Sequence, residues 1–412
     1  MPPFLYHNPI NGFQLWMHTK ISKEYMRDFQ YRKWNGYFAQ IARGTEDLGV
    51  EELTELGAKK ARAAYKGAYF EADKEALYRI NYQCRIASRI LAPLLTFHCH
   101  STKYLYRTAR KIPWSEILSP NETFAVSATV SHSKINHSKY AALCVKDAVA
   151  DYFVEVSGIR PNVQTSNPDV RINLHVQDNK AVISLDTSGE ALHKRGYREQ
   201  SVEAPMRETL AAAIIRLTGW YGQSPLYDPM CGSGTLLCEA LMYACRIPSG
   251  YLRNRFGFEN LPDFDRNLWM KVKNEEDNKI KPLSPGVIIG SDLSREAVEI
   301  ARKNCAHLPF GEKIRWEAMP IENIKVTEGS IIVCNPPYGV RIGDKKKTAQ
   351  LYRKMGNTLK KHCSGSRAFI YIGDPALTRE LGMKPSVKRM MPNGPIEGHL
   401  CRFDLFPQHR PG

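Results

Sequence analysis

Beyond residue 208 the chain alternates short, nearly unbroken apolar runs with helix-forming segments, and this pattern restricts the fold more than any other feature. The runs are PLYDP, GVIIGSD, KIRWEAM, SIIVCNP and SRAFIYIGD, and the helical segments are TLAAAIIRLTG, TLLCEALMYACR, SREAVEIARKNCAHL and TAQLYRKMGNTLKKHC. A strand that is apolar on both faces must be covered on both faces, which a parallel sheet flanked by helices achieves. SVKRMM and HLCRFDLF add a terminal antiparallel hairpin. The expectation is an α/β chain whose domain over 193–412 is built on a mostly parallel seven-stranded sheet, with residues 246–285 inserted between its first two strands as a mixture of aromatic, basic and acidic residues.

Upstream the periods are mixed. Residues 1–35 are aromatic-rich without clean periodicity and read as an extension. In 36–94, YFAQIA reads as a strand, Thr45 as the cap of a helix ended by Gly57, and Lys74 to Ser88 as a second helix, giving an α+β unit. In 95–192, ETFAVSATV, VRINLHVQ and KAVISLD are strand runs, the last two forming a hairpin, with a helix from Ser138 to Val156. Lys134, Lys139 and Lys146 place cations on or beside that helix. The formal charge is +16, with 27 Lys plus Arg against 20 Asp plus Glu in residues 1–200 and 31 against 22 in the rest. Basic character in both halves predicts a polyanion that crosses both.

With 43% hydrophobic and 24% charged residues and no apolar run long enough to span a bilayer, the composition is that of a globular multidomain protein without a membrane partner. The ten cysteines are scattered, with no CxxC pair. His98, Cys99 and His100 are adjacent, and on extended chain their side chains alternate between faces. Reduced thiols, a cytoplasmic location, no metal and no obligate protein partner are the expectation.

Chemistry gathers at three strand ends. In DPMCGSGTLL, Asp228 ends a strand, Pro229, Met230 and Cys231 lead into the turn, Gly232 and Gly234 let backbone approach a ligand, and Thr235 is placed to cap the next helix. Asp228 can accept a hydrogen bond from a cationic amine. GxG after a strand is by itself no more than a tight turn, and Leu237 in place of a third glycine disfavours a dinucleotide cradle. In GVIIGSDLS, Asp292 with Leu293 ends the next strand, where an acidic residue binds ribose hydroxyls or simply caps a helix. In SIIVCNPPYGVR, the prolines remove two backbone donors and leave carbonyls facing outward. Asn335 Oδ1 and the Pro336 carbonyl can accept both N–H bonds of a base amino group, Pro337 stiffens the turn, and Tyr338 can stack on the ring. Two acceptors aim the weakly nucleophilic nitrogen and stabilise the charge that develops on it. Arg341, Lys345, Lys346 and Lys347 follow as candidate phosphate contacts.

These motifs resemble class I S-adenosylmethionine-dependent methyltransferases of the amino-methylating type. ARGTEDLGVEEL, NPDVRINLHV, SLDTSGEALHKRGYRE and APMRETLAAAII extend the likeness to the THUMP-containing RNA methyltransferases, over residues 37–412. The resemblance implies a Rossmann-like catalytic domain preceded by ferredoxin-like and THUMP modules, S-adenosylmethionine as cofactor, and RNA as partner. Within the family it points to the bacterial branch making N2-methylguanosine at the G2445-equivalent of 23S rRNA or its large-subunit precursor, with no role for DNA. A tRNA guanine-N2 methyltransferase and a non-catalytic ribosome-assembly factor are the alternatives. Relatives often offer an aspartate to the adenine amine at the third strand tip. Here Pro320 stands there, with Met319, Glu317 and Glu322 as neighbouring substitutes.

Overall fold

The computed structural model describes residues 29–200, 206–338 and 345–406. Arg341 and residues 1–28 of the expected extension lie outside them. The part of that extension that is described packs on the body. Helix α1 (Gln30–Trp34) follows Phe29, and both Phe29 and Tyr31 are buried, the Tyr31 hydroxyl donating to Asp263 Oδ1 at 2.8 Å.

One sheet gathers the strands of the first half: β1 (Gly36–Ile41), β2 (Lys59–Ala64), β3 (Gly67–Glu71), β4 (Ala87–His98), β5 (Phe124–Ser131), β6 (Val170–Gln177) and β7 (Lys180–Asp186), in the order β2-β3-β1-β4-β7-β6-β5. In β1 the alternation of Tyr37, Ala39 and Ile41 inward with Gly36, Phe38 and Gln40 outward sets the register. β4, twelve residues long, runs through positions 94 and 95 and pairs with β1 on one side and β7 on the other, so the ferredoxin-like and THUMP-type strands are continuous. Helices α2 (Glu46–Glu55), α3 (Lys74–Gln83), α4 (Thr102–Ala109) and α5 (Ser138–Ser157) complete this half. Thr45 precedes α2, but its hydroxyl donates to the Ala42 carbonyl at 2.8 Å and caps nothing.

After α6 (Glu208–Thr218), ended by Gly219 at φ 68°, come β8 (Leu226–Asp228), α7 (Thr235–Ala244), α8 (Arg266–Asp277), β9 (Ile288–Asp292), α9 (Arg295–Ala306), β10 (Arg315–Ala318), β11 (Ile331–Cys334), α10 (Lys345–His362), β12 (Arg367–Ile372), β13 (Val387–Met390) and β14 (His399–Asp404). Their sheet has the order β10-β9-β8-β11-β12-β14-β13. The expected class, α/β on a mostly parallel sheet, is corrected by the pairings. Seven of the twelve described strand pairings are antiparallel, including five of the six in the first sheet. The protein rests mainly on antiparallel pairing. Parallel pairing is confined to β5 with β6 and to the run from β10 to β12. The five apolar runs of the second half are the strands of that parallel stretch, β10 to β12. The first half supplies the seven strands of its own sheet from weaker alternating patterns.

The insertion holds the halves together. Trp269 packs edge-on to Tyr82 at 5.3 Å and Phe258 lies 4.6 Å from Tyr78, joining α8 and its approach to α3. Arg79 donates to buried Glu276 at 2.9 Å, and the Tyr82 hydroxyl donates to Asp277 Oδ1 at 2.6 Å. Truncating a buried aromatic such as Trp269 costs ~3–5 kcal/mol. A single apolar cluster consequently extends from Phe29 to Leu400.

Candidate functional site

Strands β9, β8 and β11 are neighbours and parallel, so their carboxyl ends open on one edge of the sheet. After β8 the chain folds back sharply. The Cys231 amide donates to the Ser291 carbonyl at 2.9 Å and the Gly234 amide to the Cys231 carbonyl at 2.8 Å. Gly232 and Gly234 have φ of 51° and 81°. A Cβ on Gly234 would sit 3.0 Å from that of Ala301, so a bare backbone lets α7 begin against α9. Pro229 and Cys231 are buried beneath the turn and Met230 is half-buried. The expected Thr235 cap is absent. Gly234 holds the cap position, Thr235 is already helical, and its hydroxyl accepts from Arg198 Nη2 at 2.9 Å.

Asp228 is buried, 1% exposed, and among the described residues its carboxylate has one hydrogen-bond partner, the Met230 amide at 3.2 Å, and no cation in ion-pair reach. Burial, with a smaller contribution from Asp292, pushes its pKa up to about 8. A buried acid lacking a counter-charge fits a cationic ligand such as the ammonium group of S-adenosylmethionine. Asp292 is oriented by two amides, Gly232 to Oδ2 and Ser294 to Oδ1, both at 3.0 Å. Each oxygen retains a lone pair, leaving room for two vicinal hydroxyls. Ser294 caps α9 through its hydroxyl, so Asp292 is not needed as the helix cap. Leu293 is 76% exposed, an apolar ledge suited to a flat ring.

Asn335 follows β11 directly and is half-exposed, Pro336 is buried, and Pro337 is exposed. The Tyr338 hydroxyl donates to Asn335 Oδ1, and the Asn393 side chain reaches the same phenolic oxygen. Its ring lies edge-on to Tyr371 at 5.9 Å and over Gly373, where a Cβ would be only 2.5 Å from the ring. The tyrosine thus rests on the acceptor that sequence reasoning reserves for an incoming amine. Burial raises its pKa to about 12, so the hydroxyl remains a donor.

At the third strand tip, Glu317 pairs with Arg315 and Glu322 with Lys354, both at 2.7 Å. The Met319 amide is taken by the Asp292 carbonyl at 3.0 Å, and Pro320 opens a short turn. The cations are dispersed. Lys345, Lys346 and Lys347 are exposed where α10 begins. Lys134 borders an open cavity of about 340 Å³ with His100, His137 and Tyr140, and exposed Lys139 lies at the adjacent end of α5. Lys146 sits farther along that helix and is paired with Asp147 at 2.6 Å.

Sequence reasoning missed the residues that brace the glycine turn. Buried Asn304 donates to the Ser233 and Gln200 carbonyls at 3.0 and 2.9 Å. Its signal was a polar residue on the apolar stripe of α9, beside Ala297, Ala301 and Cys305. Arg195 lies fully buried against Glu239 at 3.2 Å, and the Tyr197 hydroxyl donates to the same carboxylate at 3.0 Å. Among the described residues, no cluster of histidine, cysteine or carboxylate side chains is arranged to hold a metal, and no helix is long and apolar enough to cross a membrane.

Fold and site together define a class: an S-adenosylmethionine-dependent methyltransferase. Comparison with known proteins narrows it. Residues 195–402 match the model of the RMKL-like methyltransferase domain, 99–186 that of the THUMP domain, and 36–91 that of the RlmL ferredoxin-like domain. A protein of Synechocystis sp. named "Putative RNA methyltransferase" is 37% identical over 90% of this chain and 97% of its own length. Ribosomal RNA large subunit methyltransferase K/L of Photobacterium profundum is 38% identical over 88% of this chain but 52% of its own, so the chain spans about half the length of that relative. The crystal structure of SMU.472 complexed with S-adenosylhomocysteine superposes with TM-score 0.80 at 29% identity, covering 91% of this chain and 99% of that one. The protein belongs to the THUMP-containing, S-adenosylmethionine-dependent RNA methyltransferases with an RMKL-like catalytic domain.

Proposed function

We propose that the protein methylates the exocyclic N2 amine of a guanosine in 23S rRNA, at the G2445-equivalent, acting in the cytoplasm on free rRNA or a large-subunit precursor. The single observation that carries the reaction type is Asn335, projecting from the end of β11 on the edge where Asp228 ends the adjacent strand β8 and Asp292 ends β9 beyond it. The cofactor supplies an electrophilic methyl group. Asp228 balances its positive charge, Asp292 takes its ribose hydroxyls, Leu293 lies against its ring, and Gly232 and Gly234 let it approach the backbone.

Asn335 Oδ1 and the Pro336 carbonyl accept the two amine hydrogens and hold the nitrogen in line. As the nitrogen gains positive charge, those oxygens stabilise it, and its proton leaves to solvent after transfer. An amine in a stacked helix cannot reach the floor of this site, so the guanine is everted and Tyr338 turns from Tyr371 to stack on it. Lys345, Lys346 and Lys347 contact phosphate beside the target, and residues 95–192 grip RNA farther away through Lys134 and Lys139. The rRNA assignment is supported by similarity to the K/L relatives.

Mass-spectrometric mapping of rRNA and tRNA nucleosides from a strain lacking the gene tests this reading. It predicts loss of one N2-methylguanosine from 23S rRNA. Loss from tRNA alone would transfer the activity to that substrate, and no loss anywhere would leave a non-catalytic assembly role.

A further inference from the structure

The hairpin formed by β2 and β3 is an unusual edge. Lys59, Lys60, Arg62 and Ala63 of β2 are all exposed and none of its residues is fully buried, so β2 adds little to the core. At the tip Tyr65 is 73% exposed with Lys66 Nζ 5.2 Å above its ring, and Arg43 is exposed on the neighbouring turn. Among the described residues, no carboxylate lies within ion-pair distance of Arg43 or Lys66.

This tip is fastened to the catalytic half. The Glu46 carboxylate accepts from the Gly44 amide at 2.6 Å and the Lys66 amide at 3.3 Å, tying turn to tip. The Gly44 carbonyl in turn accepts from Arg389 Nε and Nη2 at 3.0 and 2.8 Å, and Arg389 also pairs with Asp47. Gly44 packs so closely that a Cβ there would lie 2.3 Å from the Met390 carbonyl oxygen. Three residues after Met390 comes Asn393, whose side chain reaches the Tyr338 hydroxyl, and three residues span at most about 10 Å. Hydrogen bonds and a three-residue step of chain therefore connect the basic, aromatic tip to the place where the target base would enter.

We propose that Arg43, Tyr65 and Lys66 form a contact surface for the RNA strand flanking the target nucleotide. The two cations take successive phosphates, and the exposed ring of Tyr65 stacks on an unpaired base next to the one being methylated. The inference rests on the RNA reading above and gives the ferredoxin-like half a direct share of the substrate.

The test is RNA binding across a salt series, with methyl transfer measured in parallel, using a 23S rRNA fragment and a tRNA pool. Arg43→Gln with Lys66→Gln is expected to weaken binding to the methylated RNA and to lower the slope of log Kd against log salt by about 1 for each cation lost. Tyr65→Ala is expected to weaken binding at least about fivefold. Cofactor affinity and turnover at saturating RNA stay as in wild type. If wild type methylates an RNA and the variants bind it with unchanged Kd and slope, this surface is wrong while the function stands. If wild type methylates neither RNA, both fall together.

Discussion

At the scale of single residues, the cofactor role proposed for Asp228 ties binding to its protonation. Its ordinary pKa is 3.8 and burial raises it to about 8, so the folded chain holds this proton more tightly than the unfolded chain does. The stability it contributes is full below about 3.8 and is lost as pH rises through about 8. Asp228→Asn should therefore raise the melting temperature of the cofactor-free protein by several degrees at pH 8 and above, while abolishing the further rise on adding S-adenosylmethionine. Below pH 8, cofactor binding by wild type should release a proton, seen as a buffer-dependent heat in calorimetry. On the proposed function, Asn335 and Tyr338 are expected to divide chemistry from recognition. Asn335→Ala should lower methyl transfer roughly a hundredfold with cofactor Kd nearly unchanged. Tyr338→Phe keeps the ring but uncovers Asn335 Oδ1, and should lower the KM for RNA by roughly two- to tenfold, because the base no longer displaces a hydroxyl. A KM that rises instead would mean the hydroxyl holds the base.

Among the elements, the connector before α6 behaves least like its composition. HKRGYRE reads as a polar link, yet Arg195 and Tyr197 are buried and share Glu239 on α7. Arg195→Ala leaves Glu239 as an unpaired buried charge and should cost about 3–5 kcal/mol in denaturant melts, whereas Arg195→Met with Glu239→Leu should recover much of it. The partners are 44 positions apart. Spacing reveals neighbours only within a helix or strand, so no local pattern announces this pair. The same limit explains the insertion, whose aromatic residues Phe256, Phe258 and Trp269 were conspicuous while their partners Tyr78 and Tyr82 lay on α3. Strand ends were far more legible. Asp228, Asp292 and Asn335 each follow an apolar run that must be a buried strand, and parallel strands bring such ends together without further information. What remained hidden was the resting contact between Tyr338 and Asn335, since hydroxyl direction is set by Tyr371, Gly373 and Asn393 from other parts of the chain.

Across the whole molecule, the two halves are joined by a shared apolar cluster and by hydrogen bonds that run from the core to the surface. Arg85 Nη2 donates to the Ile247 carbonyl at 2.6 Å from within the core, and Arg216 pairs with Glu55 at 2.6 Å nearer the surface. Arg389 adds a contact at the far edge, to the Gly44 carbonyl and Asp47. Arg389→Ala should lower stability by only about 1 kcal/mol but raise the KM for RNA with cofactor affinity unchanged, because it loosens the hairpin tip without touching the glycine turn. Equal losses of RNA and cofactor affinity would contradict that division. β4 has a wider consequence. Because one uninterrupted strand serves both upstream modules, they cannot pivot against each other, and the buried contacts of α3 with α8 and of Arg85 with the Ile247 carbonyl set them against the catalytic half, so the span from the cavity beside Lys134 to Asn335 is held like the jaws of a caliper. On the proposed function, the protein is expected to select its nucleotide by distance along a folded RNA. Lengthening the helix between the gripped region and the target by one base pair would carry the guanine out of reach, even with every base around it unchanged.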